Sequence, residues 1–455
     1  VYIGIASAPE IMAAARDPER YRGFCYLSAS HNPVGHNGIK LGNNNGGVLS
    51  ADELAPVIEH IKQLLADPAR LAAIEKPLRA VIEHSVHLSL DQGAQESALA
   101  AYSAFAEETL FEGLGEHKQL LRHTLAAEPL GVVGELNGSA RGASIDRDFF
   151  KSVGLKARFF NHQPGSIVHA ILPEGDSLTP CRKLLEAAYR EDQAFQLGYV
   201  PDNDGDRGNL VYIDPADGKG HLLAAQEVFA LSVLAELTFA RFCLPEPPKN
   251  QAVVVNGPTS LRIDAICRML DVEVHRAEVG EANVVTLARE LRSAGYRVRI
   301  LGEGSNGGTI THPAAVRDPL NTLGAFAKLL RYRSREGLNP AYRTTPTGEP
   351  RAKYPVETMD HNLLKNRYET LFPAFWEERP GILKQSGLSG YRFVNYEGIK
   401  TIPGPGARSG SGRGGFKVEL VDSGGLARAF LWMRGSGTEA VFRVMADIPG
   451  DSPND

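Results

Sequence analysis

Val132-Val133-Gly134-Glu135-Leu136, running into Asn137-Gly138, and Val253-Val254-Val255, running into Asn256-Gly257, share one pattern: an apolar, β-branched run that ends in Asn-Gly. Gly23-Phe24-Cys25-Tyr26-Leu27, running into Ser28-Ala29-Ser30, is a third run of this kind. Residues 51–65, 178–194 and 226–242, between these runs, carry apolar residues at helical spacing. A strand, a loop and then a helix is the unit from which α/β domains are built. Three successive α/β domains with mixed sheets are therefore expected, over residues 1–117, 118–246 and 247–370. After Pro380, residues 391–394, 416–420, 429–433 and 441–445 alternate at a strand period, which predicts a smaller α+β domain over 371–455. Tyr2-Ile3-Gly4-Ile5 also has the composition of a strand, and because it follows Val1 directly the chain is expected to begin partway through its first domain.

Composition sets limits on function. At 455 residues the chain exceeds what one core holds, and 43% apolar with 23% charged residues matches an ordered globular protein. A formal charge of −5 offers no broad basic field for a nucleic acid, so any phosphate chemistry must be local. The most apolar helical stretch, residues 228–242, is interrupted by Glu236 and Arg241 and is too short to span a bilayer. It is expected as a core helix, with no membrane partner. Cys25, Cys181, Cys243 and Cys267 are scattered without a CxxC pair, which suggests neither a disulfide framework nor a zinc site. A reducing cytoplasm fits that usage.

Four loops carry chemistry. The first, Ser28-Ala29-Ser30-His31-Asn32-Pro33 with Gly35-His36-Asn37-Gly38-Ile39-Lys40, follows a strand directly. On its own it fits a turn set by Asn32-Pro33 and Asn37-Gly38 as well as it fits an active site. The second, Asp202-Asn203-Asp204-Gly205-Asp206-Arg207, sets a carboxylate at every second position, a spacing that can converge oxygens on a hard cation. Magnesium is the natural guest; a calcium loop of the EF-hand type would need glycine at Arg207 and glutamate at Ile213. A solvated acidic turn is the plain alternative, but three carboxylates this close repel one another without a cation or an arginine.

The third loop, Gly302-Glu303-Gly304-Ser305-Asn306-Gly307-Gly308, matches the dinucleotide fingerprint in letters only. Thr309-Ile310-Thr311-His312-Pro313 is β-branched where a Rossmann unit opens a helix, so no nicotinamide cofactor is expected. Glu303 and Ser305 instead offer acceptors and a hydroxyl suited to adjacent sugar hydroxyls. The fourth, Arg434-Gly435-Ser436-Gly437-Thr438-Glu439, lies between two strands and ends near Arg443, and combines a guanidinium fork with hydroxyls and open backbone N–H groups, a phosphate cradle. The glycine-rich segment 404–415 with Arg408 and Arg413 is expected as a loop between strands rather than an RNA-binding tail.

Together, in this order and across nearly the whole chain, the four loops resemble the α-D-phosphohexomutase family, which includes phosphoglucomutases and phosphomannomutases. The resemblance implies four domains around a central cleft. It implies that Ser30 is a phosphoserine which joins Asp202, Asp204 and Asp206 as a metal ligand for Mg²⁺, and that Arg207 neighbours the transferring phosphoryl group. Glu303 and Ser305 would hold the sugar, and Arg434, Ser436, Gly437 and Thr438, with Arg443 nearby, the phosphate that is not reacting. Lys40 is the first candidate for acid–base work beside Ser30 and His31 the second. The implied reaction interconverts hexose 1-phosphate and hexose 6-phosphate through a hexose 1,6-bisphosphate, with glucose preferred and mannose or another hexose as the alternative. A magnesium-dependent sugar phosphatase and an inactive sugar-phosphate-binding protein are the remaining readings. Departures from the family pattern are Ser28 in place of threonine, Ala440 in place of proline, Gly307 where some bacterial members carry histidine, and the lack of further strands ahead of the serine loop.

Overall fold

A computed structural model describes residues 1–83, 90–242, 244, 248–331, 347–348, 351–355, 361–378, 385–406, 414–435 and 441–449. They fall into two compact units: Val1–Leu223 with Pro313–Asn321, and Ala224–His312 with Thr322–Asp455. The architecture is mixed α/β, with four sheets among the described residues.

In the first unit, strands Gly23–Leu27 and Ile39–Asn43 form an antiparallel hairpin with Leu27 opposite Ile39, so the serine loop is its tip. Helix Ala8–Ala14 packs Ala8 and Met12 against Phe24, Tyr26 and, from the distant returning segment, Val316. The expected strand at residues 2–5 does not form. Gly4 sits at φ +77° and breaks the extended run, and the Tyr2 carbonyl accepts from Asp91 N at 3.0 Å instead of from a ladder. Helix Ala51–Ala66 starts where a capping box dictates: Ser50 accepts from Glu53 N, and Glu53 Oε2 accepts from Ser50 N at 2.7 Å.

The five-stranded sheet of this unit runs Lys156–Phe160, Gly131–Glu135, Phe195–Pro201, Gly208–Asp214, Lys219–Leu222. Its first three strands are parallel and the rest antiparallel. In the second unit a four-stranded sheet repeats the same winding, in the order Glu273–Ala277, Ala252–Asn256, Ile300–Glu303, Gly308–Thr311, with only the last strand antiparallel. Gly131–Glu135 and Ala252–Asn256 are buried at every residue. That is what parallel strands covered on both faces require, and it is why their sequences stay apolar up to the last residue, Glu135 or Asn256, rather than alternating.

Helix Ala225–Phe242 is the expected core helix: Phe229, Val233, Leu234 and Leu237 meet Val253, Val255 and Ile300. Each such side chain contributes roughly 1.5–3 kcal/mol on burial. Glu236 in this helix is buried as an ion: it accepts from Arg299 Nε and from Lys328 Nζ, each at 2.8 Å.

The C-terminal sheet is antiparallel and seven-stranded, built on Gly390–Glu397, Gly415–Val421, Ala427–Gly435 and Val441–Pro449. Helix His361–Glu378 lays Phe372 on Phe416, Val418 and Met433 of one face. Strands Thr347–Gly348 and Arg351–Pro355 also pair with Val441–Pro449. Both strands lie before residue 371, where the last of the four proposed parts was expected to start. Of the expected loop at 404–415, residues 407–413 lie outside the described residues. Among the described residues no helix is long and apolar enough to cross a membrane.

Candidate active site

The tip of the first hairpin holds Ser30 at φ +51°, a conformation that side chains avoid. Such strain costs on the order of 1–3 kcal/mol and concentrates at functional sites. Ser28 fixes the tip: its Oγ accepts from Ser30 N at 2.9 Å and donates to Asp204 Oδ2 at 2.6 Å. Ser30 Oγ then donates to Asp202 Oδ2 at 3.1 Å and lies 3.5 Å from His31 Nδ1.

The aspartate loop is the tip of the hairpin formed by Phe195–Pro201 and Gly208–Asp214. Asp202, Asp204 and Asp206 are 1%, 3% and 1% exposed, and one oxygen from each lies within 4.8 Å of the others. Gly205 turns the loop at φ +71°, and a Cβ there would stand 2.4 Å from Arg141 Cδ, so the turn requires glycine twice over. Burial, then the charges of Asp206 and Asp204, push the Asp202 carboxyl well above its usual range. Burial opposes ionisation of Asp206 too, but Arg317, Lys40 and Arg207 outweigh it and hold that carboxyl below its usual range.

Three cations ring the loop. Lys40, on the returning strand, donates from Nζ to Asp204 Oδ2 at 2.7 Å and to Asp206 Oδ2 at 3.4 Å. Arg207 donates its backbone N–H to Asp202 Oδ1 at 3.1 Å and brings Nε to 3.8 Å from Oδ2. Arg317 donates from Nη2 to Asp206 Oδ2 at 2.9 Å. Burial and the neighbouring Arg207 and Arg317 push the His31 imidazole down to about 4.

Oδ1 of Asp204 and Oδ1 of Asp206 are buried and have no hydrogen-bond partner. Buried acceptors left open in this way cost free energy unless something else fills them. An all-oxygen donor set of this charge and spacing fits Mg²⁺. A second acidic group, Asp214, Asp217 and His221, is largely exposed, and its Asp214 Oδ1 and Asp217 Oδ1 accept from Ala216 N and Lys219 N. That group is explained as a hairpin turn.

In the second unit the Gly302–Gly308 loop joins two antiparallel strands, so no helix opens there. Glu303 is 5% exposed and firmly oriented: Oε1 accepts from Asn256 Nδ2 at 2.9 Å and Gly280 N at 2.7 Å, and Oε2 from Asn306 Nδ2 at 2.9 Å. Ser305 lies half-buried in the turn Gly304–Asn306, and Gly307 closes it at φ +70°, which explains a glycine at this departure from the family pattern. Arg434 and Arg443 face each other across the last two strands, and Arg434 Nε pairs with Glu278 Oε1 at 2.9 Å. Ser436, Gly437 and Thr438 lie outside the described residues.

Ser30, His31, Lys40, Asp202, Asp204, Asp206 and Arg207 are thus brought together in one unit, while Glu303, Ser305, Arg434 and Arg443 belong to the other. Arg317, Asn256, Gly280 and Glu278 were not expected. Arg317 sits in Ala315-Val316-Arg317-Asp318-Pro319, where its only local signal is a charged pair after an apolar run. The other three act through strand neighbours that the sequence does not reveal.

Residues 1–66 match the family model described as phosphoglucomutase/phosphomannomutase, alpha/beta/alpha domain I, and residues 231–342 match that of domain III. A phosphoglucosamine mutase from Clostridium botulinum (strain Alaska E43) is 24% identical over 288 residues, 63% of this chain and 54% of its own. One from Synechococcus sp. (strain CC9902) is 30% identical over 220 residues, 47% of this chain and 39% of its own. The chain therefore spans about half the length, or less, of these relatives. In fold it is similar to the crystal structure of parafusin, a phosphoglucomutase from Paramecium in its open form, with a TM-score of 0.65 at 16% identity over 98% of this chain and 77% of that one. A phosphoglucomutase/phosphomannomutase family protein from Burkholderia thailandensis gives 0.58 at 15% identity, over 99% of this chain and 78% of that one.

Proposed function

We propose that this chain, which belongs to the α-D-phosphohexomutase family, interconverts hexose 1-phosphate and hexose 6-phosphate by passing a phosphoryl group through Ser30. The observation that carries this is the placement of Ser30 Oγ: strained backbone, 3.1 Å from Asp202, at the edge of three buried carboxylates ringed by Lys40, Arg207 and Arg317. In each half-reaction the bond from phosphorus to one oxygen breaks as a bond to another forms, between Ser30 Oγ and a sugar hydroxyl. The hydroxyl proton leaves to a base, for which Lys40 and His31 are the candidates.

Phosphoryl transfer demands mainly in-line positioning and charge stabilisation. Asp202, Asp204 and Asp206 with Ser30 would hold Mg²⁺, which when bound supplies neutralising charge to the phosphoryl oxygens. Arg207 and Arg317 would draw the same oxygens and keep the group aligned. Glu303, held in place by Asn256 and Gly280, would accept from sugar hydroxyls with Ser305 beside it. Arg434, its guanidinium fixed by Glu278, would take the second phosphate together with Ser436, Gly437 and Thr438. A substrate with two phosphorylated ends, the hexose 1,6-bisphosphate, is the proposed intermediate and activator, and it explains two phosphate sites in one protein.

Glucose phosphate is the proposed substrate, with mannose phosphate as the family alternative. A glucosamine phosphate is a second reading, motivated by the name of the curated relatives, phosphoglucosamine mutases. The free thiols Cys25, Cys181 and Cys267 suit a reducing compartment, and the cytoplasm is proposed. A coupled assay with the 1-phosphates of glucose, mannose and glucosamine, on the chain and on Ser30→Ala, tests both levels. Turnover should vanish in Ser30→Ala, and near-normal turnover there would sink the proposal. Release of inorganic phosphate in place of isomerised sugar would favour a phosphatase.

A further inference from the structure

We propose that Arg141 is a positioning residue that sets the size of the aspartate cage, and through it the preference for a Mg²⁺-sized ion over a larger one. This rests on the metal reading of Asp202, Asp204 and Asp206 above.

Arg141 lies in the short turn Ala140–Ala143 and its side chain has no exposure. Its Nε donates to Asp146 Oδ1 at 3.1 Å, and its Nη2 makes an ion pair with Asp146 Oδ2 at 2.7 Å. Nη1 donates to the Tyr102 hydroxyl at 2.7 Å and stands 3.6 Å from Asp318 Oδ1. The ring of contacts closes on itself, because Tyr102 OH donates to Asp318 Oδ2 at 2.7 Å and Tyr199 OH to Asp146 Oδ1 at 2.5 Å. Burial works against a charged guanidinium here, but Asp146, Tyr102 and Asp318 outweigh it.

Two arms lead from this group to the same loop. Along the first, the Arg141 methylenes press on Gly205, and the neighbouring Ala140 N donates to Asn203 O at 2.9 Å. Along the second, Asp318 is held by Arg141 and Tyr102 and also accepts from Leu320 N at 2.9 Å. That fixes the adjacent Arg317, whose guanidinium grips Asp206 at 2.9 Å. Asp206 is thus set through its neighbour Gly205 and through Arg317. A buried ion network of this kind adds little net stability, because desolvation offsets the attraction. What it does supply is fixed geometry. Mg²⁺ demands a tight, nearly octahedral set of oxygens, whereas Ca²⁺ accepts more ligands at longer and more variable distances. A pinned loop favours the first ion, and a slackened loop loses that advantage.

Manganese binding to the full chain, followed by its paramagnetic resonance signal and by competition with Mg²⁺ and Ca²⁺, tests this on Arg141→Lys, Tyr102→Phe and Asp318→Asn. Circular dichroism and a cooperative thermal transition identify the folded variants, and Tyr102→Phe, the mildest change, carries the test if the others do not fold. Folded variants should lose about 10- to 100-fold in Mg²⁺ affinity, the usual cost of removing support behind metal ligands, with Ca²⁺ affinity held and the discrimination between the ions narrowed. A folded variant with the parent's Mg²⁺ affinity, or an equal loss for both ions, overturns the role of Arg141. If the parent chain itself binds no Mn²⁺, the metal reading falls; binding in the parent with unchanged variants removes only this inference.

Discussion

The hairpin tips at 202–207 and 304–307 occupy the same place in two sheets that share one winding, each lying between the last parallel strand and its antiparallel neighbour. The longer tip gathers three buried carboxylates, of which Asp204 and Asp206 each keep an oxygen with no hydrogen-bond partner. The shorter one presents a single carboxylate, Glu303, whose oxygens accept from amides. One topology therefore delivers a loop to one location, and the charge and length of the loop decide whether an ion or a neutral polar ligand suits it. The serine loop, also the tip of an antiparallel hairpin, is a third case, in which strain at Ser30 replaces charge.

The contrast can be broken most forcefully at Asp204. Asp204→Asn should abolish tight Mn²⁺ binding and cut turnover by roughly 10²- to 10⁴-fold, the several kcal/mol that a metal supplies to a transferring phosphoryl group. Calorimetric titration with Mn²⁺ beside the coupled assay checks it, and retained metal affinity would erase the difference between the two tips.

The second unit has its own buried charge, and Glu236→Gln should cost about 3–5 kcal/mol in urea unfolding, because it removes the one carboxylate to which buried Arg299 and Lys328 both donate. Although burial raises it, Lys328 and Arg299 bring the Glu236 carboxyl down from 4.5 to about 2. A carboxyl depressed in the folded state stabilises above its unfolded value and loses that contribution as pH falls toward the folded one. The parent should therefore weaken between about pH 4.5 and 2 more steeply than Glu236→Gln, as thermal melts across that window would show.

Glu303→Gln sharpens the comparison from the sugar side. Loss of a charged acceptor should raise the Michaelis constant by about 1.5–3 kcal/mol, roughly 10- to 150-fold, while Mn²⁺ affinity stays at the parent value. A fall in metal affinity would mean the two tips do not divide the work as argued. Glycines compare the two tips directly: Gly307→Ala should cost about 1–2 kcal/mol for its left-handed backbone. Gly205→Ala should cost about 1–3 kcal/mol more for its collision with Arg141, measured as unfolding free energies.

Much of this was legible in the sequence where one residue run suffices. The buried parallel strands Gly131–Glu135 and Ala252–Asn256 announce themselves as apolar runs that turn polar only at Glu135 and Asn256, and the start of helix Ala51–Ala66 is written in Ser50 and Glu53. Asp202, Asp204 and Asp206 were visible because their carboxylates fall at every second position of one loop. Residues 2–5 looked like a strand because composition does not record that Gly4 turns left-handed. Arg317 stayed hidden because its partner, Asp206, is 111 positions away and reaches it only through the fold. Glu278, likewise, gains its meaning from Arg434 and Gly415, which lie in a different sheet.

The returning segment Pro313–Asn321 has a practical consequence for dissecting the gene. The backbone passes between the units at 223/224, again at 312/313 and once more at 321/322, so no single stop codon isolates the serine and aspartate loops intact. A product ending at residue 223 would lack Val316 from its core, Arg317 beside Asp206 and Asp318 beside Tyr102. Nine residues of a distant coding stretch would have to be supplied as a fused linker or a complementing peptide before that half could be studied alone.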